Sequence, residues 1–73
     1  MDSNSIEQMI KAGLPDATVS VSSDDGVHFE AVVTSPSFAG IAPLQRHRLV
    51  YATLGSLVGN EIHALSLQTR VTE

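Results

Sequence analysis

Histidine is the residue of this sequence that can do the most chemistry, and it occurs three times, as His28, His47 and His63. A neutral imidazole binds metal ions, and its proton exchanges near physiological pH, so each histidine is a candidate ligand or base. The chain has no cysteine. A metal site on this chain must therefore use histidine, aspartate, glutamate or a ligand from another molecule.

His63 opens an apolar segment, Ile-His-Ala-Leu-Ser-Leu, that follows a turn and is typical of a strand. Alternation puts its ring on the same side as Leu65 and Leu67, but the other side is apolar too, so the pattern leaves its orientation open. The end of a strand is a common place for a ligand, although in parallel sheets ligands usually gather at the carboxyl ends. His63 is therefore either a ligand or a packed core residue.

The other two histidines have simple structural interpretations beside the functional one. His28 follows an acidic turn, Ser-Asp-Asp-Gly, at a strand position that should face outward, so it is a ligand or an exposed residue placed by chance. His47 lies on the apolar face of a predicted helix, where a half-buried histidine bonded within the fold is expected. Asp24 and Asp25 are adjacent, and because neighbouring side chains diverge they make a weak acid–base pair. No serine lies in a Gly-x-Ser-x-Gly motif.

Length and charge restrict the functions that are open to the chain. Its 73 residues predict one domain, residues 1–73, with a thin core that leaves little room for a deep catalytic cleft. The net charge is −4, and of the four basic residues only Arg46 and Arg48 are close in sequence. Non-specific nucleic-acid binding needs clustered lysine and arginine, so it is disfavoured.

The chain shows no sign of a membrane or export segment. No apolar run approaches the ~20 residues that span a bilayer. The first residues, Met-Asp-Ser-Asn-Ser-Ile-Glu-Gln, carry acidic groups where a signal or transit peptide would carry basic ones. We expect a soluble, cytoplasmic protein.

Hydrophobic periodicity predicts a helix followed by a hairpin. Apolar residues at helical spacing indicate a first helix over 5–13, with Ser5 as its capping residue. Two alternating runs on either side of an Asp-Gly turn then predict paired strands. In the second strand the residues that should face the core are Val27, Phe29, Ala31 and Val33.

The second half of the chain predicts a crossover. A loop with a short helical piece over 35–43 leads to a second helix over 43–58, which Gly59 should end, and then to a strand over 61–69. The order α-β-β-α-β implies that the last two strands are parallel and joined by a right-handed connection. The predicted fold is a two-layer α+β domain, with both helices on one face of a mixed three-stranded sheet.

Three segments resemble the BolA family, and within it the short YrbA-like bacterial branch. They are Phe-Ala-Gly at 38–40, Leu-Gln-Arg-His-Arg-Leu-Val-Tyr-Ala-Thr-Leu at 44–54 and Ile-His-Ala-Leu-Ser-Leu at 62–67. The resemblance extends from the first helix to about Thr69. It implies a class II KH-like fold, which agrees with the α-β-β-α-β order.

The resemblance also implies a protein partner and a shared cofactor. BolA proteins pair with monothiol glutaredoxins around a [2Fe–2S] cluster, for which glutaredoxin and its glutathione supply thiolates. The BolA side supplies the histidine at the start of the last strand, here His63, and a second ligand from the hairpin. Many members carry that ligand as Cys or His within the hairpin loop, but Ser-Ser-Asp-Asp-Gly-Val has neither, so His28 just after it is the candidate.

The function that the resemblance implies is an adaptor, not an enzyme, in iron–sulfur trafficking or in iron or stress sensing. Arg46 and Arg48 would then dock acidic or carboxylate groups of the partner, or stay solvated. The alternative is a KH-like nucleic-acid-binding transcriptional regulator, because some BolA proteins are described as regulators. KH domains grip nucleic acid through Gly-x-x-Gly, however, and the comparable loop here has only Gly40. A scaffold that binds neither cluster nor nucleic acid ranks third.

Overall fold

The computed structural model describes residues 2–58 and 64–72 of the chain. Within those residues, no helix is both long enough and apolar enough to cross a membrane. The elements follow the predicted α-β-β-α-β order, with a short 3-10 helix before and after the second α-helix. They are α1 (Ser3–Gly13), β1 (Thr18–Ser22), β2 (His28–Thr34), a 3-10 helix (Pro36–Phe38), α2 (Pro43–Leu54), a 3-10 helix (Gly55–Leu57) and β3 (Ala64–Arg70).

The three strands form one sheet in the order β1-β2-β3. Strand β1 is antiparallel to β2, and β2 is parallel to β3, as the crossover predicts. In the parallel pair His28 lies opposite Ala64, and Thr34 lies opposite Arg70. Paired residues point to the same face of a sheet, so the register alone decides which side chains share a face.

Both helices pack on one face of this sheet. A single apolar cluster joins side chains of α1, α2 and β2, namely Ile6, Ile10, Val50, Leu54, Phe29 and Val33. Phe29 and Val33 are four residues apart along β2, an even number, and therefore point to the same face of the sheet. The two-layer arrangement is thus confirmed, and the opposite face of the sheet, which carries His28 and Glu30, is exposed.

The helix ends differ from the predicted ones because other residues cap them. Helix α1 begins at Ser3, since Asp2 rather than Ser5 is its cap and accepts the Ser5 backbone N–H at 2.8 Å. Helix α2 ends at Leu54 rather than at residue 58, because Gly55 takes a φ of 58°. A glycine in the left-handed region ends a helix at little cost, so the first available glycine stops α2.

Strand β2 starts one residue later than the alternation predicts. Val27 is 53% exposed instead of facing the core. The Asp25 carboxylate accepts the backbone N–H groups of Val27 and His28, so the turn extends through Val27. Residues 61–63, which the sequence assigns to the last strand, lie outside the described residues.

Ser35 fixes the end of the sheet that is remote from His28. Among the described residues it is the one buried polar side chain. Its N–H donates to the Arg70 carbonyl at 3.0 Å, and its carbonyl accepts the Thr72 N–H at 3.3 Å. Its Oγ donates to Asp16 at 3.2 Å and accepts the Ser37 N–H at 3.0 Å, while the Ser37 hydroxyl donates to the other oxygen of Asp16. Ser35 thereby ties β2 to the end of β3 and to the α1–β1 connection.

The two helices approach closely where Gly13 meets Thr53. A Cβ atom at position 13 would lie 2.5 Å from Thr53 Cγ2. The Thr53 side chain is not free to turn away, since its hydroxyl donates to the Val50 carbonyl at 2.6 Å. Close packing of α1 on α2 therefore requires glycine at this position.

Gly13→Ala should destabilise the protein even though alanine favours helices. Overpacking of this kind typically costs about 1–3 kcal/mol, which outweighs the gain of about 1 kcal/mol in helix propensity. Thr53→Ser removes Cγ2 and keeps the hydroxyl, so the double variant should regain part of the loss. Urea unfolding of the two single variants and the double variant measures this coupling. Wild-type stability of Gly13→Ala would show that the helices are not in close contact here.

The Asp16 carboxylate should make stability depend on pH. The hydroxyl of Ser37, and after it that of Ser35, lowers the pKa of Asp16 from its ordinary value of 3.8. The folded chain then binds this proton less tightly than the unfolded chain, so the stabilisation is present above that value and is lost as the carboxyl becomes protonated. Thermal unfolding midpoints should fall below about pH 4, and they should fall less steeply in Asp16→Asn.

The matched control is Asp24→Asn, which removes the same charge at a residue with no hydrogen bond to the described part of the chain. Its midpoints should keep the wild-type dependence on pH. Equal slopes for the two variants would contradict the role given to Asp16.

Candidate functional site

The candidate site lies at the end of the sheet where β1 finishes and β2 and β3 begin. Ser22 is the last residue of β1, His28 the first of β2 and Ala64 the first of β3. A shallow pocket with a volume of about 130 Å³ opens beside the turn that joins β1 to β2. Its lining residues are all polar and half of them are acidic, namely Ser22, Ser23, Asp24, Asp25, His28 and Glu30.

Side chains hold this turn in place. Oδ1 of Asp25 accepts the N–H groups of Val27 and His28, each at 2.8 Å. The hydroxyl of Ser23 accepts the Gly26 N–H, also at 2.8 Å. Gly26 has a φ of 75°, which glycine adopts without strain. The acidic and hydroxyl residues of the turn therefore serve its backbone, as aspartate and serine often do in turns.

The His28 ring is exposed and has one nitrogen engaged. Its Nδ1 lies 2.7 Å from Oδ2 of Asp25, and the side chain is 73% exposed. Hydrogen bonds from the His28 N–H, then from its imidazole, then from the Val27 N–H hold the pKa of Asp25 well below its ordinary value. The other ring nitrogen, Nε2, has no hydrogen bond to a described residue. Nε2 is thus the atom through which His28 can bind an external group.

Among the described residues, His28 is a single candidate ligand and not part of a complete metal site. Across residues 2–58 and 64–72, no three histidine or acidic side chains are grouped so that they could hold a metal ion. The other ligand predicted from the sequence, His63, lies outside the described residues. Ala64, which follows it in the sequence, is the Cα partner of His28.

Arg46 and Arg48, the two residues predicted to dock a partner, differ in burial and in their contacts. Arg46 is half-buried, with Nε donating to the Ile41 carbonyl at 2.6 Å and its guanidinium 6.0 Å from the centre of the Phe38 ring. Arg46 therefore supports the loop that precedes α2. Arg48 is exposed and makes no hydrogen bond or ion pair with the described residues. Partner docking by either arginine stays a prediction, and Arg48 is the one whose side chain is free of described partners.

Sequence reasoning misses the role of Asp25. It places His47 correctly as half-buried, but the His47 ring makes no hydrogen bond with the described residues. His47 is half-buried on α2, which covers the opposite face of the sheet from His28. The sequence assigns Asp25 to the hairpin turn and to a weak acid–base pair with Asp24, but not to a contact with His28. The available signal was the Asp-x-x-His spacing across a turn, because aspartate commonly accepts N–H groups two and three residues further on.

Fold and site together define a small α+β domain that presents a histidine at one end of a mixed sheet. The family described as BolA-like protein matches residues 7–73 of the chain. The chain therefore belongs to the BolA family. Its assignment to the YrbA-like branch remains a prediction.

Individual relatives agree with this membership. BolA-like protein 1 of Homo sapiens is 51% identical over 43 residues, which are 59% of this chain and 31% of the human protein. A protein of Vibrio cholerae described as DNA-binding transcriptional regulator BolA is 48% identical over 46 residues, which are 63% of this chain and 43% of that protein. The matched segments thus span less than half the length of these two relatives.

A solved structure confirms the fold. The BolA homologue from Coxiella burnetii has a TM-score of 0.85 and 49% identity, over 97% of this chain and 91% of that one. The two helices and the mixed three-stranded sheet are therefore the architecture of the family.

Proposed function

We propose that this protein is a non-enzymatic adaptor that pairs with a monothiol glutaredoxin and shares a [2Fe–2S] cluster with it. Its role would lie in iron–sulfur cluster trafficking or in iron or stress sensing. The glutaredoxin and its bound glutathione supply thiolates, and this chain supplies the imidazoles of His63 and His28. The observation that carries the proposal is the exposed His28 ring, with Nε2 available, on a chain that has no cysteine.

The donor set fits a shared cluster better than a resident one. Iron–sulfur clusters are held mainly by thiolates, which this chain lacks, but histidines can replace thiolates on one iron and raise the reduction potential. When bound, the cluster supplies one-electron redox chemistry. Two imidazoles from this chain and thiolates from glutaredoxin and glutathione would complete the coordination that neither side holds alone.

The sheet supports the choice of the two histidines. His28 begins β2, and its Cα partner Ala64 follows His63 in the sequence. The backbone of a paired strand restricts a ligand before it binds, which reduces the entropy lost on coordination. Because the His28 side chain contributes nothing to the apolar cluster, its ring can serve a partner without a loss of core packing.

Arg48 is proposed to assist docking. Its guanidinium is free of described partners and always charged, so it can bind a carboxylate of the glutaredoxin or of glutathione. Arg46, by contrast, is held by Ile41 and Phe38 and would contribute by shaping the loop beside α2.

The protein should change the spectrum of a cluster-loaded monothiol glutaredoxin. Exchange of a thiolate for an imidazole alters the ligand field of iron, so visible absorbance and circular dichroism should both shift on mixing. His63→Ala should abolish the histidine-dependent spectrum, and His28→Ala should weaken it less. His47→Ala is the matched control and should leave it unchanged.

Far-ultraviolet circular dichroism of each variant separates lost ligation from lost folding. If His63→Ala unfolds, then His63 is a core residue and its assignment as a ligand is wrong. An unchanged glutaredoxin spectrum in the presence of wild-type protein would contradict the proposal as a whole. Pulsed EPR of the reduced complex provides the direct test, since wild-type imidazole coupling in His63→Ala would exclude that residue.

A second candidate function is nucleic-acid binding. It is favoured by relatives from Vibrio cholerae and Escherichia coli that are described as DNA-binding transcriptional regulators. The charges oppose it, because the net charge is −4 and three of the four basic side chains, Lys11, Arg46 and Arg70, donate hydrogen bonds within the chain. Four dispersed cations, of which Arg48 alone makes no hydrogen bond with the described residues, are a weak electrostatic grip on phosphates.

We expect weak binding to DNA. The affinity for a random duplex at physiological salt should be no better than about 10⁻⁴ M, the weak end of non-specific binding. Fluorescence anisotropy with a labelled duplex measures it, and Arg48→Ala tests whether the free cation contributes. Sub-micromolar, sequence-selective binding would instead favour the regulator function over the cluster adaptor.

A further inference from the structure

We propose that Asp25 is a positioning residue for His28, and that its carboxylate holds the imidazole proton on Nδ1 and so presents Nε2 as the iron-binding nitrogen. The part that concerns iron rests on the proposed function. The tautomer and orientation of the ring, however, are properties of the free chain and can be tested without a cluster.

The two oxygens of Asp25 make different contacts. Oδ1 accepts the backbone N–H groups of Val27 and His28, at 2.8 Å each. These bonds fix the carboxylate relative to the first residue of β2. Oδ2 is left to face Nδ1 of His28 at 2.7 Å, a distance typical of a charge-assisted hydrogen bond. The carboxylate could turn away from the ring only by giving up both backbone bonds.

This geometry selects one tautomer of the neutral ring. An ionised carboxylate can only accept hydrogen bonds, so the nitrogen that faces it must carry the proton. The two backbone N–H groups that donate to Oδ1 stabilise the ionised form of this carboxylate. With the proton on Nδ1, the lone pair of the neutral imidazole is on Nε2, which no described residue engages.

The bond to Asp25 also determines where the ring points. With 73% of its side chain exposed, His28 has little packing to restrict its rotation. A hydrogen bond from the opposite nitrogen is the usual way in which proteins orient a metal-binding histidine, and its removal typically weakens metal binding about 10–100-fold. Asp25 can therefore orient a ligand in a place where the core cannot.

Asp25→Asn reverses the hydrogen bond with almost no change in shape. The amide oxygen can keep both backbone N–H groups, which places the amide NH2 against Nδ1 as a donor. The ring proton should then move to Nε2. The analogous substitution behind a catalytic histidine is known to produce the wrong tautomer. Asp24→Asn is the matched control, because it removes the same charge one residue away and leaves the hydrogen bond to His28 in place.

Long-range ¹H–¹⁵N NMR spectra of the free, ¹⁵N-histidine-labelled protein, at about pH 8.5 where histidine is normally neutral, identify the tautomer. We expect the Nδ1–H form of His28 in the wild type and in Asp24→Asn, and the Nε2–H form in Asp25→Asn. A predominant Nε2–H form in the wild type, or one tautomer shared by the wild type and Asp25→Asn, would overturn the inference. The wild-type spectrum decides the tautomer even if the variant fails to fold.

The complex with [2Fe–2S]-loaded monothiol glutaredoxin tests the step to iron. With histidine labelled at Nε2, pulsed EPR of the reduced complex should show a coupling between iron and the His28 Nε2 that is lost in His28→Ala. Asp25→Asn should weaken the binding of the protein to the cluster-loaded glutaredoxin about 10–100-fold. Coupling of His28 through Nδ1 would overturn the inference and leave His28 a ligand. An Nδ1–H ring that shows no coupling to iron would instead contradict His28 as a ligand, while the action of Asp25 on the ring would stand.

Discussion

The parallel pairing of β2 with β3 is the constraint on which the site depends. At one end of this pair Ser35 bonds to Arg70 and Thr72, and at the other end His28 lies opposite Ala64. Side chains alternate along a strand, so a slip of one residue would turn Leu65 and Leu67 away from the helices and polar residues toward them. Burial of the leucines and the hydrogen bonds of Ser35 therefore enforce the same register, and that register sets the position of His28.

The two faces of the sheet differ because both helices pack on the same one. In the described part of the chain, α1 and α2 cover the face that carries Phe29 and Val33. The other face stays exposed, so its side chains are free of the packing demands that govern the core. A ligand on this face can be chosen for its chemistry, whereas a histidine among Ile6, Ile10 and Val50 would need a buried hydrogen-bond partner.

Patterns that repeat along the chain could be predicted, and features that depend on one competing contact could not. Period-two alternation is enough to give the hairpin and the outward position of His28, and the α-β-β-α-β order gives the mixed sheet. The predicted start of α1 and the predicted end of α2 were wrong. Asp2 rather than Ser5 caps the beginning of α1, and Gly55 ends α2 before Gly59 is reached. The placement of Val27 was wrong for a similar reason, since it depends on which N–H groups the Asp25 carboxylate accepts.

Asp25 couples the folding of the turn to the chemistry of the ring. The same carboxylate that accepts two backbone N–H groups also contacts Nδ1 of His28, so the geometry that ends the hairpin turn is the geometry that orients the imidazole. In the proposed complex the imidazole of His28 and the carboxylate of Asp25 would have opposite effects on the reduction potential of the iron. A neutral imidazole in place of a thiolate raises the reduction potential, whereas an anionic residue hydrogen-bonded behind it makes the imidazole a stronger donor. The carboxylate of Asp25 would thereby reduce the rise in reduction potential that the His28 imidazole causes.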